Sequence, residues 1–233
     1  MHIGLIGGIG VAATIVYYQR LSAAVAATGQ PLELTIVNAD VQELIRTNLA
    51  DDRETQAATY ARLIDRLRDA GADCAAITSL GGHFCYAETV ARSSLPLVSA
   101  VKPLDGYFVQ NGLKTVGLLG TRVVMRSRLY GQLQHTQAVV LEDQIDTLGQ
   151  AYQDMAVAGT CSEAERRLFV EAGQKMVRDL GAEAIVLAGT DLNLAFDGAE
   201  TGYKVVDALD VHVDVLARLA TGRATLEEVE AEP

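Results

Sequence analysis

Two short segments hold the side chains best suited to acid–base chemistry, and the second repeats the first. Gly71-Ala-Asp73 leads through a small apolar run to Ser79, Leu80, Gly81, Gly82 and His83. Gly181-Ala-Glu183 leads through a similar run to Gly189, Thr190 and Asp191, so Ser79 and Gly189 fall at equivalent places. An imidazole at His83 could orient a ligand or pass a proton at neutral pH. Equally, Ser79 could cap the following helix and His83 could be a hydrogen-bonded polar residue. Asp191 has the same pair of readings, as an acid, base or ammonium ligand, or as a helix cap. A third cluster, Gly7-Gly8-Ile9-Gly10 with Thr14 nearby, lacks both the dinucleotide spacing and the Lys-Ser/Thr of a phosphate loop. It is a tight strand–helix turn or a cradle of N–H groups for a carboxylate. Cys74 belongs to a strand core, Cys85 reads as a buried inert thiol, and Cys161 has no activating neighbour in sequence. Asp207 and His212 are spaced off a common helical face, so separate roles are expected of them.

These residues need a scaffold that brings strand ends together. Apolar runs predict strands over 1–6, 32–37, 74–78, 97–99, 115–119, 138–141, 184–187 and 205–206. Helical spacing predicts helices over 12–26, 55–70, 81–91, 125–135 and 207–219. Another helical stretch covers 144–180, broken near Gly159 to Ser162, with Ser162 a cap for its second part. The tail over 227–233 is expected to fray. Alternation of this kind predicts an α/β fold of two pseudo-symmetric half-domains, each a parallel sheet flanked by helices, with the active-site cleft between them. The crossing falls at Lys102-Pro103. It gives one half over 1–101 plus 208–233, to which the last helix returns, and a second over 102–207. Ligands of such folds sit beyond the C-terminal strand ends, where Gly7 to Gly10, Asn38, Ser79, Thr121 and Gly189 all fall.

The bulk numbers narrow the partners. With 233 residues and 49% hydrophobic side chains, the chain can bury a sizeable core. A net charge of −11 argues against nucleic acid or an anionic membrane surface. Three irregularly spaced cysteines fit neither a disulfide framework nor a zinc site, which suggests a reduced, cytoplasmic setting. There is no signal-peptide pattern, and no apolar run approaches the ~20 residues of a membrane span.

Taken together, the motifs resemble the aspartate/glutamate racemase superfamily over nearly the whole chain. Gly7-Gly-Ile-Gly-Val-Ala-Ala-Thr-Ile-Val-Tyr-Tyr18 is similar to its G-G-M-G-P-x-A-T-x-x-Y-Y, and Gly71 to His83 to its G-A-D-x-x-x-x-P-C-N-T-x-H. Gly117 to Met125, with Tyr130, resembles G-L-L-G/A-T-x-x-T with a later Tyr. Gly181 to Asp191 resembles G-A-D-x-x-x-L-G-C-T-E, and Asp207 to His212 resembles D-T-x-x-I-H. The resemblance implies cofactor-independent chemistry with no metal, in which two cysteines exchange the Cα proton of a small acidic substrate. It also implies a homodimer.

This chain departs at the positions that matter most. The cysteine positions hold Ser79 and Gly189, and Leu80, Gly81 and Val124 replace Asn, Thr and Thr. A hydroxyl is a far weaker acid than a thiol (~8.5), and glycine carries no proton, so two-thiol racemisation is excluded. The expected catalytic set is Ser79, His83 and Asp191. The expected substrate contacts are Gly8, Ile9, Asn38, Leu80, Gly81, Thr121, Val124, Gly189 and Thr190. Three readings stay open: a racemase or isomerase of a small acidic amino acid or dicarboxylic acid, a lyase or decarboxylase, and an inactive carboxylate binder.

Overall fold

The computed structural model describes residues 1–8 and 10–231. It begins with β1 (His2–Gly7), α1 (Val11–Ala26), β2 (Glu33–Asn38), α2 (Val41–Leu49) and α3 (Arg53–Asp69). β3 (Cys74–Ile77), α4 (Tyr86–Val90) and β4 (Leu97–Val98) complete the first sheet's elements. The second set is α5 (Pro103–Gln110), β5 (Thr115–Gly120), α6 (Arg122–Ser127), β6 (Gln137–Val139) and α7 (Ile145–Ala158). It continues with α8 (Glu163–Leu180), β7 (Ala184–Ala188), α9 (Asn193–Phe196) and β8 (Val205–Asp207). Two further helices follow, α10 (Ala208–Ala220) and α11 (Leu226–Ala231).

The strands form two four-stranded parallel sheets, ordered β2-β1-β3-β4 and β6-β5-β7-β8. The second order is the first with each strand advanced by four, so β1 matches β5 and β3 matches β7. Register confirms the match: Ile6 pairs with Ile77 at the end of β1 and β3, and Gly120 with Ala188 at the end of β5 and β7. β1, β3 and β7 are buried at every residue, which explains why they read as unbroken apolar runs.

Helices cover both faces of the first sheet. Leu44, Tyr60, Ile64 and Leu67 pack on one side with Ile6 and Ile77. On the other side, Tyr17 and Leu21 of α1 and Leu209, Val213 and Leu216 of α10 pack with Ile3 and Leu5. The Tyr17 hydroxyl and His212 Nδ1, 2.8 Å apart and both buried, tie α1 to α10. We propose on these contacts that 1–101 with 208–233 acts as one half and 102–207 as the other. Leu80, Ala100, Val101 and Leu104 join the core of the second sheet and bridge the two.

Four local expectations are corrected. The helix expected over 125–135 is α6, starting at Arg122, because the Thr121 side chain accepts the Val124 N–H as its cap. It ends early because Arg128, Leu129 and Tyr130 all take left-handed backbone angles (φ 48, 57 and 60°). The segment over 81–91 is a 3-10 turn through Cys85 followed by the short α4. α2 was not expected at all, although Asp40 caps it by accepting from Gln42 and Glu43 N–H. The tail does not fray over 227–231: Thr225 and Glu228 cap α11 reciprocally, at 3.2 Å and 2.8 Å. The remaining tail residues lie outside the described ones. Ser162, by contrast, caps α8 in a full capping box, as expected.

Candidate active site at the seam between the halves

The parallel order puts the C-terminal ends of β1, β3, β5 and β7 at one seam, where the first half's loops face the second's. Thr190 Oγ1 donates across it to the Thr78 carbonyl at 3.2 Å. Tyr130, held in its left-handed turn, donates back to the Leu80 carbonyl at 2.9 Å, with the Gly81 carbonyl at 3.2 Å. Asn48 of α2 also donates to the Gly81 carbonyl, at 3.1 Å.

Asp191 is the ionisable group at the centre of this seam. It is fully buried. Its Oδ1 accepts the Ala13 N–H of α1 at 3.1 Å and its Oδ2 the Tyr152 hydroxyl at 3.1 Å. The first of these makes Asp191 a cap for a helix of the opposite half. Gly10 makes room for it, since a Cβ there would lie 2.1 Å from both carboxylate oxygens. Burial pushes the Asp191 carboxyl up to about 6, against the lowering effect of its two donors.

Gly189 faces the same tyrosine. A Cβ on Gly189 would lie 2.4 Å from Tyr152 Cε2, so the aromatic ring fills the place a side chain at 189 would take. Ser79 stands on the first-half loop, buried, with its Oγ accepting the Gly82 N–H at 3.3 Å. It also lies near Thr121: a Cβ on Gly81 would be 3.7 Å from Ser79 Oγ and 3.0 Å from Thr121 Cγ2. Ser79, Gly81, Thr121, Gly189, Thr190 and Asp191 are therefore all seam residues. Leu80 and Val124 are fully buried in one apolar cluster.

His83 is placed differently. Its Nδ1 meets the Ser79 carbonyl at 2.8 Å, and its Nε2 meets the Ala100 N–H at 3.0 Å. This pattern assigns the proton to Nδ1 and leaves Nε2 as acceptor. The ring stacks on Tyr86, and burial lowers its pKa to about 4. Both nitrogens are occupied and the ring is neutral at pH 7, so His83 anchors the Ser79 loop.

The other expected residues sit at the margin. Gly8 has φ +127° and lies against Ala39, where a Cβ would meet the carbonyl at 2.5 Å. Asn38 is exposed and its amide donates to the Ala39 carbonyl. Ile9 lies outside the described residues. Cys85 is buried against the Gly82 carbonyl and the Thr89 hydroxyl, and burial pushes its thiol up to about 11. Asp207 caps α10 and pairs with Arg20 at 2.6 Å, while His212 bonds Tyr17, so the two have separate roles. Arg20 also reaches Asp210 at 2.8 Å and Asp197 at 3.1 Å, fastening α1 to the second half and to α10.

Beside Gly81, Thr121 and Tyr152, the seam opens into a cleft between α2 and α7 of about 70 Å³. Among the described residues, no group of three or more His, Cys, Asp or Glu could hold a metal ion. Nor is any helix among them long and apolar enough to cross a membrane.

Tyr152, Thr78 and Asn48 are the seam residues that sequence reasoning missed. Tyr152 sits at helical spacing from Leu148 and reads as an ordinary core aromatic. Thr78 reads as the last residue of a strand, and Asn48 lies on the helix that was not expected. The one signal available was Asp40 with Glu43 three residues on, a helix start.

Solved structures share this architecture. A protein of Yersinia pestis assigned to the Asp/Glu racemases matches with a TM-score of 0.80 at 23% identity, covering 95% of this chain and 100% of that one. An aspartate racemase homologue of Pyrococcus horikoshii matches at 0.75 and 22%, covering 94% and 99%. A glutamate racemase of Bacillus anthracis matches at 0.66 and 11%, covering 97% and 83%. At such identities the likeness is one of fold. The family model described as Asp/Glu/Hydantoin racemase matches residues 6–216, nearly all of both sheets and their helices. The chain belongs to the Asp/Glu/Hydantoin racemase family.

Proposed function

We propose that the protein is a cofactor-independent enzyme of the racemase/isomerase class. It moves a proton at the carbon beside a carboxylate, on a small acidic amino acid or dicarboxylic acid. The observation that carries this reading is Asp191, a fully buried carboxyl at the seam whose pKa of about 6 suits a general base near neutral pH. Ionised Asp191 takes the Cα proton, and the electron pair of the broken C–H bond stays on the substrate as an enolate. A proton returned by Asp191 to that face restores the starting isomer, whereas a proton taken from water on the other face of the planar enolate gives the inverted one. The Tyr152 hydroxyl orients the carboxyl throughout.

The hydroxyls of Ser79 and Thr121 hold the substrate carboxylate and the enolate charge, and Thr190 joins them when its bond to the Thr78 carbonyl opens. His83 serves as a positioning residue for the Ser79 loop. Because residue 189 brings no side chain, the protein supplies proton transfer on one face alone, and inversion through water on the other face is slower than exchange. The aspartate racemase homologue and the glutamate racemase among the structural neighbours support the acidic substrate class.

The experiment is incubation in D2O with aspartate, glutamate, malonate and succinate, following Cα–H loss by NMR and inversion, where there is a stereocentre, by chiral chromatography. The reading predicts deuterium incorporation faster than inversion, abolished by Asp191→Asn and slowed by Ser79→Ala. One observation favours a second reading: the Thr190–Thr78 bond and the Tyr152 ring close the seam. Ligand binding with neither exchange nor cleavage would establish a carboxylate-binding member of the family and overturn the enzymatic reading. Cleavage products would make it a lyase.

A further inference from the structure

The cleft beside the seam has a polarity of its own. Its walls are Leu44, Ile45 and Leu49 of α2, Val123 of α6, and Ala156 and Val157 of α7. The polar side chains among them are engaged elsewhere. Asn48 donates to the Gly81 carbonyl, and Tyr152 to Asp191. Gln153 accepts from Arg122 at 3.3 Å, while the rest of that guanidinium reaches Gln150 at 2.7 Å and Asp146 at 3.4 Å. The Arg122 stem lies over Gly149, where a Cβ would meet its Cγ at 2.3 Å, so Arg122 lines the cleft partly through its methylenes. The Thr121 hydroxyl stands at the end beside Gly81, nearest Ser79.

The space is thus polar where it meets the seam and apolar beyond. A charged group pushed among Leu44, Ile45, Leu49 and Val157 would lose its hydration against apolar side chains, at a cost. An alkyl group would gain by leaving water. A water-sized group needs ~10–15 Å³ on this measure, so ≈ 70 Å³ takes about five to seven such groups.

We propose that this cleft is a side-chain subsite. The molecule bound at the seam is a carboxylic acid bearing an apolar aliphatic substituent of about seven non-hydrogen atoms or fewer, which lies between α2 and α7. The proposal rests on the proton-transfer reading for the acid end of the ligand and on the cleft for the rest.

The test compares matched pairs by calorimetry: succinate with 2-isobutylsuccinate, and malonate with isobutylmalonate. The substituted acid of each pair is expected to bind at least tenfold more tightly. Ile45→Asp, on the partly exposed face of α2, is expected to abolish that preference while leaving the parent acid within about twofold. Val157→Asp, at a position 55% exposed, serves as the second variant if Ile45→Asp does not fold. Equal or weaker binding of both substituted acids overturns the subsite, as does a preference that neither variant alters, or no binding by any of the four. Exchange in D2O on the same samples separates the two proposals. Preferential binding without exchange keeps the subsite and sinks the proton-transfer reading. Exchange without preference does the reverse.

Discussion

Substituting Gly189 by alanine adds one methyl group at the most informative point of the seam. The backbone there is extended (φ −141°, ψ 119°), a conformation open to any residue, so no backbone strain enters. What the new Cβ meets is Tyr152, at 2.4, 2.8 and 3.0 Å from three ring carbons. The ring is buried and cannot swing into solvent without leaving a cavity. Overpacking of this kind costs about 1–3 kcal/mol. If the ring shifts, its hydroxyl leaves Asp191, and the loss of a hydrogen bond to a buried charged group adds about 1.5–3 kcal/mol. The sum is about 2.5–6 kcal/mol, a fall in Tm of roughly 5–20 °C for a chain of this size. The control is the same substitution in a Tyr152→Ala background. There the methyl has room, and replacing glycine stabilises by about 0.4–1 kcal/mol through the unfolded state. The double-mutant cycle, read by urea denaturation, should therefore show a coupling of about 3 kcal/mol. Additivity within about 0.5 kcal/mol would refute the placement of Tyr152 over Gly189. Restoring a cysteine at 189 meets the same ring, so Ser79→Cys with Gly189→Cys is expected to recover no two-thiol racemisation while Tyr152 is present.

Three further outcomes follow from the seam. The raised Asp191 pKa favours the folded state only when the acid is protonated, so its contribution is present below about pH 4 and lost as pH rises through about 6. Two pH units correspond to about 3 kcal/mol, and Asp191→Asn should gain that much on wild type between pH 4 and pH 7.5 in denaturation midpoints. Tyr130→Phe removes the hydroxyl that donates to the first-half loop, for about 1 kcal/mol, and hydrogen exchange should quicken at Gly81 and Gly82 more than in the β-strands. Arg20→Met strips Asp207 of its cation, and a loss of about 2–4 kcal/mol that Asp207→Asn partly restores is expected from thermal unfolding.

The strand ends were legible because their signals are local. Each sits where an apolar run stops at small or polar residues, and the echo of Gly71 to His83 in Gly181 to Asp191 exposed the duplication that the matching strand orders display. Ser79 and Asp191 could be placed at the seam from that echo alone. Their partners could not. Tyr152 is brought to Gly189 by the packing of α7 on the second sheet, and Ala13 to Asp191 by the meeting of the halves, contacts between residues far apart in sequence. Which of the two readings of His83 the fold favours was hidden for the same reason. Its second partner is the Ala100 N–H, beyond β4, and that bond turns a candidate proton carrier into an anchor. The break after Ser127 was hidden because Arg128, Leu129 and Tyr130 are not residues that advertise a left-handed backbone.

The protonation of Asp191 can be read by a 13C-carboxyl NMR titration of the protein labelled at aspartate, with Asp191 assigned by its loss in Asp191→Asn. The Asp191 signal is expected to titrate near pH 6, and Tyr152→Phe is expected to raise that midpoint by removing a donor to the carboxylate. A midpoint below pH 4, unchanged by Tyr152→Phe, would contradict a buried carboxyl at the seam and, with it, the one-sided proton transfer.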